Sequence, residues 1–207
     1  LIFSAEIIEI NKIINWSELL PKLSFTFEKI EIMNFSIQPT LENDIVSLVP
    51  LEKHDFEELF EVASDPKVWE QHPNKERYQR EIFQNFFTGA LESKGAFLII
   101  DNETEEVLGS TRFYDFNEEN KSILIGYTFY GTKSWGKNIN ASVKKLMLDY
   151  IFQFVDTVIF HVGKNNIRSQ KAMTKLGAEN VGEEEVAYFG EDSKTNVVFQ
   201  IKKENWK

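Results

Sequence analysis

Apolar positions along the chain recur with two periods. Val143, Leu146, Met147, Tyr150, Ile151 and Phe154 step by 3, 1, 3, 1 and 3, which marks one face of a helix. Phe56, Leu59, Phe60 and Ala63 predict a short amphipathic helix over residues 54–64. Tyr78, Ile82, Phe86 and Ala90 predict a second over 75–93, and "DPKVWEQHP" between them reads as a turn with one helical turn. Runs at 45–51, 96–100, 107–116 and 122–130 read as strands. The polar "DNETEE" makes a hairpin of the middle two, and 122–130 is a third antiparallel member. Beyond Phe154 the chain predicts a strand over 157–162, a helix over 166–178 closed by Gly177, and a last strand over 197–201. Antiparallel strands followed by strand–helix–strand–helix predict an α+β fold with a mixed sheet.

Residues 1–32 read apart from this pattern. Ile7, Ile10 and Ile14 fit one helix face ending near Pro21, and Leu23, Phe25 and Phe27 alternate like a strand. Met33 is the first methionine, so the expected division is an N-terminal extension over 1–32 and a compact domain over 33–207.

Composition narrows the function classes. Hydrophobic residues at 42%, a third of them aromatic at 14% of the chain, are enough for a buried core. No apolar run nears the ~20 residues that span a bilayer, and the acidic N-terminus lacks the basic region of a signal peptide. The chain has no cysteine, which removes thiolate ligands and nucleophiles and fits a cytoplasmic protein. Its three histidines show no metal-ligand spacing, so no metal is expected. A net charge of −10 disfavours nucleic acid and fits a cationic small molecule or basic peptide, or serves solubility alone.

Two segments carry candidate chemistry. In "SWGKNINASVKKLMLDY" (134–150) a loop runs into a helix starting at about Asn138 to Ala141. Free amides of a first helical turn suit phosphate oxygens. Gly136 permits φ > 0, while Asn138 and Asn140 tolerate left-handed backbone or cap helices. Lys133, Lys137, Lys144 and Lys145 add positive charge. The segment is equally readable as an Asn-capped amphipathic helix with a solvated lysine face. "NIRSQKAMTKLGA" (166–178) repeats the strand–loop–helix pattern, with Asn166 as N-cap and Ser169 in the first turn.

Four blocks in order resemble one family. "PTLENDIVSLVPL" (39–51), "IGYTFYGTKSWGKNIN" (125–140), "NIRSQKAMTKLGA" (166–178) and "VVFQIKKENW" (197–206) are similar to the GNAT acetyltransferases. The branch is the RimJ/RimL-like ribosomal-protein N-terminal acetyltransferases. The resemblance covers about Pro39 to Trp206. It implies a mixed, mostly antiparallel central sheet flanked by helices, with a splayed cleft between the family's strands four and five. It implies acetyl-CoA as co-substrate, with main-chain groups of Thr128, Phe129 and Tyr130 holding the pantetheine and acetyl carbonyl. Trp135, Gly136, Lys137, Asn138, Ile139, Asn140 and Ala141 would form the pyrophosphate loop, and Asn166 would touch the pantetheine arm. Arg168, Lys164 and Lys171 are candidates for the 3′-phosphate.

The chain departs from the family pattern in several places. Asn138 stands where the first loop glycine is expected and Asn140 where Gly or Ala is usual. Leu124 stands at a frequent glutamate base, Met173 at the usual tyrosine, and Glu185 at a common arginine. Ser169 is the candidate donor to the leaving thiolate. Candidate bases are Glu70, His72, Asp115 and Glu183 to Glu185, with none singled out, and His161 reads as a core or cleft-lining residue. The implied reaction moves an acetyl group directly to a primary amine, of a protein N-terminus or a small molecule. The alternative is a catalytically weakened CoA-binding module or interaction protein. Relatives in this branch are often homodimers.

Overall fold

A computed structural model describes residues 35–190 and 192–207, of which Ile37–Lys207 form one compact unit. The expectations for residues 1–32 lie outside the described residues. Eight strands pair into a single sheet: β1 (Leu41–Glu42), β2 (Val46–Pro50), β3 (Ala96–Asp101), β4 (Val107–Asn117), β5 (Ser122–Tyr130), β6 (Thr157–Gly163), β7 (Glu179–Ala187) and β8 (Ser193–Lys202). Their order is β1-β2-β3-β4-β5-β6-β8-β7, and every pairing is antiparallel except β5 with β6. Among the described residues the α-helices are α1 (Phe56–Ala63), α2 (Pro66–Trp69), α3 (Arg80–Ser93), α4 (Ile139–Ile151) and α5 (Ile167–Leu176).

The sheet separates two packed layers. Leu59 and Ala63 of α1, Trp69 of α2, and Phe83, Phe86, Phe87 and Ala90 of α3 cluster against Leu98 and Phe129. The indole N–H of Trp69 donates to the Ala63 carbonyl at 2.7 Å, so this buried polar atom is satisfied. Val143, Met147, Leu148 and Ile151 of α4 are fully buried, and α4 reaches β5 through Thr128. Successive strand residues face opposite ways, so Phe129 and Thr128 place α1–α3 and α4 on opposite faces.

Three differences from the sequence pattern have physical causes. The helix expected over 75–93 is broken. A 3-10 turn over Lys75–Tyr78 is capped by the Asn74 side chain, and extended Gln79 (φ −82°, ψ 133°) separates it from α3. The break sets Arg77, which is buried, with its guanidinium 4.7 Å from the Phe86 ring and 5.5 Å from Trp69. β7 had no apolar signature because it is the sheet edge, and every residue but Val186 is exposed. β8 starts at Ser193, four residues before its apolar run, because β7 continues its ladder there.

Two irregularities of β5 prepare a site. Between Ser110↔Phe129 and Arg112↔Gly126, β5 holds one residue more than β4, and Tyr127 takes φ 52° in this bulge. Gly109 (φ 155°) faces it, and a Cβ there would lie 2.0 Å from the Phe129 carbonyl oxygen. On its other side β5 pairs with β6 only at Ser122↔Thr157, Ile123↔Val158 and Leu124↔Ile159. Beyond Leu124 the two strands run on to Tyr130 and Gly163 without pairing to each other, so the parallel pair splays open.

Candidate active site

The splayed strands enclose a cleft of about 930 Å³. β5 from Ile125 to Tyr130 forms one wall, β6 from Phe160 to Gly163 the other, and the N-terminal ends of α4 and α5 close its mouth. In the loop before α4, Gly136 (φ 77°) and Asn138 (φ 63°) both take left-handed backbone. A Cβ at Gly136 would meet nothing within 4 Å, so that glycine is required by its dihedral and not by space. Asn138 holds the position expected to be glycine, and asparagine is among the residues that best tolerate it. Its side chain makes no cap bond, and the helix ladder begins with Ser142 N–H to the Asn138 carbonyl at 3.2 Å. The amides of Ile139, Asn140 and Ala141 precede that ladder and are the groups a helix start presents to an anion.

α5 faces this loop across the mouth. The Asn166 side chain accepts the Ser169 N–H at 3.1 Å, which fixes the cap predicted from sequence. The Arg168 guanidinium lies 4.1 Å from the Trp135 ring centroid and 3.5 Å from Glu70, and the Trp135 indole donates to the Tyr130 carbonyl at 3.2 Å. Arg168 and Trp135 therefore bridge the two loops. Among the described residues, the charged side chains that line the cleft are Arg77, Lys144, Arg168, Lys171 and Lys175, with no carboxylate. In a chain of net charge −10 this is a local cationic site, suited to a polyphosphate.

Lys144 corrects the picture of a solvated lysine face. It is 2% exposed, and its Nζ donates to Thr128 Oγ1 at 2.7 Å and Thr111 Oγ1 at 3.2 Å. Burial alone pulls its ammonium down to about 7. The Tyr130 hydroxyl donates to Asn140 Oδ1 at 3.2 Å, tying β5 to the start of α4, and burial pushes that phenol up.

The other end of the cleft is aromatic. Tyr114, Tyr127 and Tyr188 line it, with Tyr127 edge-on to Tyr114 at 5.0 Å and to Tyr188 at 5.4 Å. Two imidazoles reach the lining. His72 Nε2 accepts from Arg77 Nη1 at 3.2 Å while Nδ1 faces the Asn74 carbonyl at 3.0 Å. Burial, with the Arg77 charge, holds His72 down at about 3. His161 stands on β6 just past the last pair with β5, its Nε2 3.6 Å from a Glu184 carboxylate oxygen. Its Nδ1 is buried without a hydrogen-bond partner. Burial lowers its pKa, and Glu184 and Asp115 offset part of that.

Most residues expected from sequence converge here. Thr128, Phe129, Tyr130, Trp135, Gly136, Asn138, Ile139, Asn140, Ala141, Asn166 and Ser169 all line the cleft. Lys137 is exposed and off the wall, and Lys164 pairs instead with Glu183 at 2.8 Å. Arg168 and Lys171 reach the lining, as does buried Met173. Leu124 is buried at the last rung of the β5–β6 ladder and supplies no carboxylate there. Glu185 accepts from the Thr195 hydroxyl at 2.5 Å, on the exposed edge. The burial of Lys144 and the pairing of Glu184 with His161 are not legible in the sequence, because each depends on partners distant in sequence, and Arg77 is buried only because the helix expected over 75–93 is broken.

The residues present fit acetyl-CoA: the left-handed loop would let the backbone approach a ligand, the uncommitted amides at the start of α4 would be free to meet a pyrophosphate, and the lining cations would repel no phosphate. A family model for the acetyltransferase (GNAT) domain matches residues 46–179. A curated relative, the uncharacterized N-acetyltransferase p20 of Bacillus licheniformis, is 29% identical over 150 residues, covering 69% of this chain and 84% of that protein. A GCN5-related N-acetyltransferase from Brucella melitensis superposes with a TM-score of 0.71 at 18% identity, over 84% of this chain and 86% of that one. A ribosomal-protein-S5-alanine acetyltransferase from Vibrio fischeri superposes at 0.61 with 14% identity, over 82% and 100% of the two chains. The family match spans well over half of the sequence, and the chain belongs to the GNAT acetyltransferases, enzymes that take their acetyl group from acetyl-CoA.

Proposed function

We propose that the protein moves an acetyl group from acetyl-CoA directly to a primary amine, of a protein N-terminus or a small molecule, without a covalent enzyme intermediate. The splay of β5 from β6, with the α4 amides at its mouth, carries this reading. Bound acetyl-CoA would supply the activated thioester. The α4 amides and the cations of α5 hold its phosphates, Asn166 touches the pantetheine arm, and the main chain of Thr128 to Tyr130 binds the acetyl carbonyl. Donors aimed at that oxygen stabilise the charge that develops on it. Ser169, half-buried on the lining, gives a proton to the leaving thiolate. The aromatic end receives the amine, and holding both reactants together supplies much of the rate.

Thiol release from acetyl-CoA tests this against alanine- and serine-starting hexapeptides, spermidine, kanamycin and free amino acids. One or more amines should release thiol, with the acetylated product seen by mass spectrometry. A second reading, a CoA-binding protein without turnover, is favoured by one observation: the last rung of the β5–β6 ladder carries buried Leu124 and not a carboxylate. Calorimetry separates them, since tight CoA binding with silence across the panel selects the second reading.

A further inference from the structure

β5 is least supported where its main chain would meet the acetyl group. Beyond Leu124 it has no pairing with β6. On the β4 side the ladder goes from Arg112↔Gly126 to Ser110↔Phe129 and passes over Thr111, Tyr127 and Thr128. The next two residues are fixed by their side chains: the Phe129 ring is buried in the cluster of α1–α3, and Tyr130 is tied to Asn140 and Trp135. Thr128 faces the other side of the sheet, where its hydroxyl meets Lys144 of α4. We propose that Lys144 is a positioning residue for acetyl transfer, holding Thr128 from the α4 side so that the main chain of Thr128 to Tyr130 is set against the acetyl carbonyl; this rests on the acetyl-transfer reading of the cleft.

The tether is a closed set of hydrogen bonds. Lys144 Nζ donates to Thr128 Oγ1 at 2.7 Å and to Thr111 Oγ1 at 3.2 Å, and the two hydroxyls lie 2.8 Å apart. The Thr128 hydroxyl donates to the Gly126 carbonyl at 3.3 Å, across the bulge. These bonds are mutually consistent. Thr111 donates to Thr128, which accepts twice, and an uncharged amine has one N–H for each threonine. Burial favours that uncharged form. Side-chain bonds thus stand in at the bulge for the ladder bonds that the backbone lacks there, with α4 as their anchor. The first amides of the same helix lie at the mouth of the cleft, so one side chain links the phosphate end of the site to its acetyl end.

The fold itself does not need this amine. The other buried residues of α4, Ile139, Val143, Met147, Leu148 and Ile151, are apolar. Replacing a buried ionisable group by an apolar one of similar volume is often neutral or stabilising. Lys144 therefore works against stability and for the geometry of β5, and that opposition separates a positioning role from a structural one.

The test uses the full chain at pH 7. Lys144→Met should unfold in urea at or above the wild-type midpoint and bind CoA, by calorimetry, within about twofold of wild type. Its kcat with the fastest-reacting amine of the panel should fall at least tenfold, toward the ~100-fold that a misplacement of about 1 Å costs. Thr128→Val keeps the main chain and removes the hydroxyl, so it should lower kcat by a like factor. The double variant should lose no more than either alone. One readout needs no turnover. Without amine, wild type should bind acetyl-CoA about fivefold tighter than CoA, the worth of one hydrogen bond, and Lys144→Met should bind the two alike. Three outcomes overturn the positioning role alone: a kcat within about twofold of wild type in Lys144→Met, a preference for acetyl-CoA that the substitution leaves unchanged, or a joint fall of kcat, CoA affinity and stability. Absence of CoA binding to wild type overturns the acetyl-transfer reading and the positioning role with it.

Discussion

Asn138 occupies a left-handed position where glycine is expected, and its φ of 63° says what a replacement must do. Asn138→Gly should keep stability within a few tenths of a kcal/mol, whereas Asn138→Ala should cost about 1 kcal/mol, since a Cβ is penalised in this region. Urea unfolding of the two variants checks this; equal losses would mean that the loop relaxes out of the left-handed region. Lys144 allows a sharper test. Its folded proton affinity, about 7, lies below its ordinary value of 10.5. Between those values the unfolded chain holds a proton that the folded one does not, so wild-type stability rises with pH. Lys144→Met should therefore be more stable than wild type at pH 6. That advantage should shrink by up to about 1.4 kcal/mol per pH unit above 7. A gap that does not change with pH would show that the amine keeps its ordinary affinity. Gly136 and Asn138 could be picked out from their residue types alone. Lys144 could not, because its threonine partners lie 16 and 33 positions away and only the β4–β5 pairing brings them together.

At the level of elements, periodicity read the buried helices and the strands with apolar runs, because burial and pattern have the same cause. β5 matched its expected span of 122–130, and α4 follows the stripe from Val143 to Ile151. β7 escaped because an edge strand facing solvent has no buried side to advertise. The splay also escaped, since the end of the β5–β6 ladder at Leu124 is a pairing between strands and not a property of either. Its mouth depends on α5, whose start is set by one side chain. Asn166→Ala removes the acceptor of the Ser169 N–H and should cost about 1 kcal/mol. Asn166→Asp keeps an acceptor there and should hold stability, yet it sets a carboxylate at the mouth of an anion site. CoA affinity in the Asp variant should fall at least tenfold while its melting temperature stays within a few degrees. If affinity instead follows stability across the two variants, Asn166 serves the helix and not the ligand.

Across the whole molecule, the charge distribution opposes itself. The chain carries −10 overall, but the charged residues lining its cleft are all cationic. A CoA molecule approaching from a distance meets net repulsion, and attraction takes over only close to α5, within roughly a Debye length of ~8 Å at physiological salt. Added salt screens both, but it reaches the exposed surface more readily than the cleft. Wild-type affinity should therefore fall only mildly, by severalfold, as salt rises from about 0.05 to 0.5 M. Reversing the local field should act differently. Lys171→Glu with Lys175→Glu leaves the buried core untouched, since both side chains are exposed. It aligns the mouth with the acidic surface, so CoA should bind at least tenfold more weakly at low salt and recover part of that loss at 0.5 M. Dephospho-CoA, which lacks the 3′-phosphate, should lose less. Calorimetry with both ligands at both salt concentrations gives the four values needed. Equal losses for CoA and dephospho-CoA would place the 3′-phosphate away from α5 and leave Lys171 and Lys175 as a general field on the pyrophosphate.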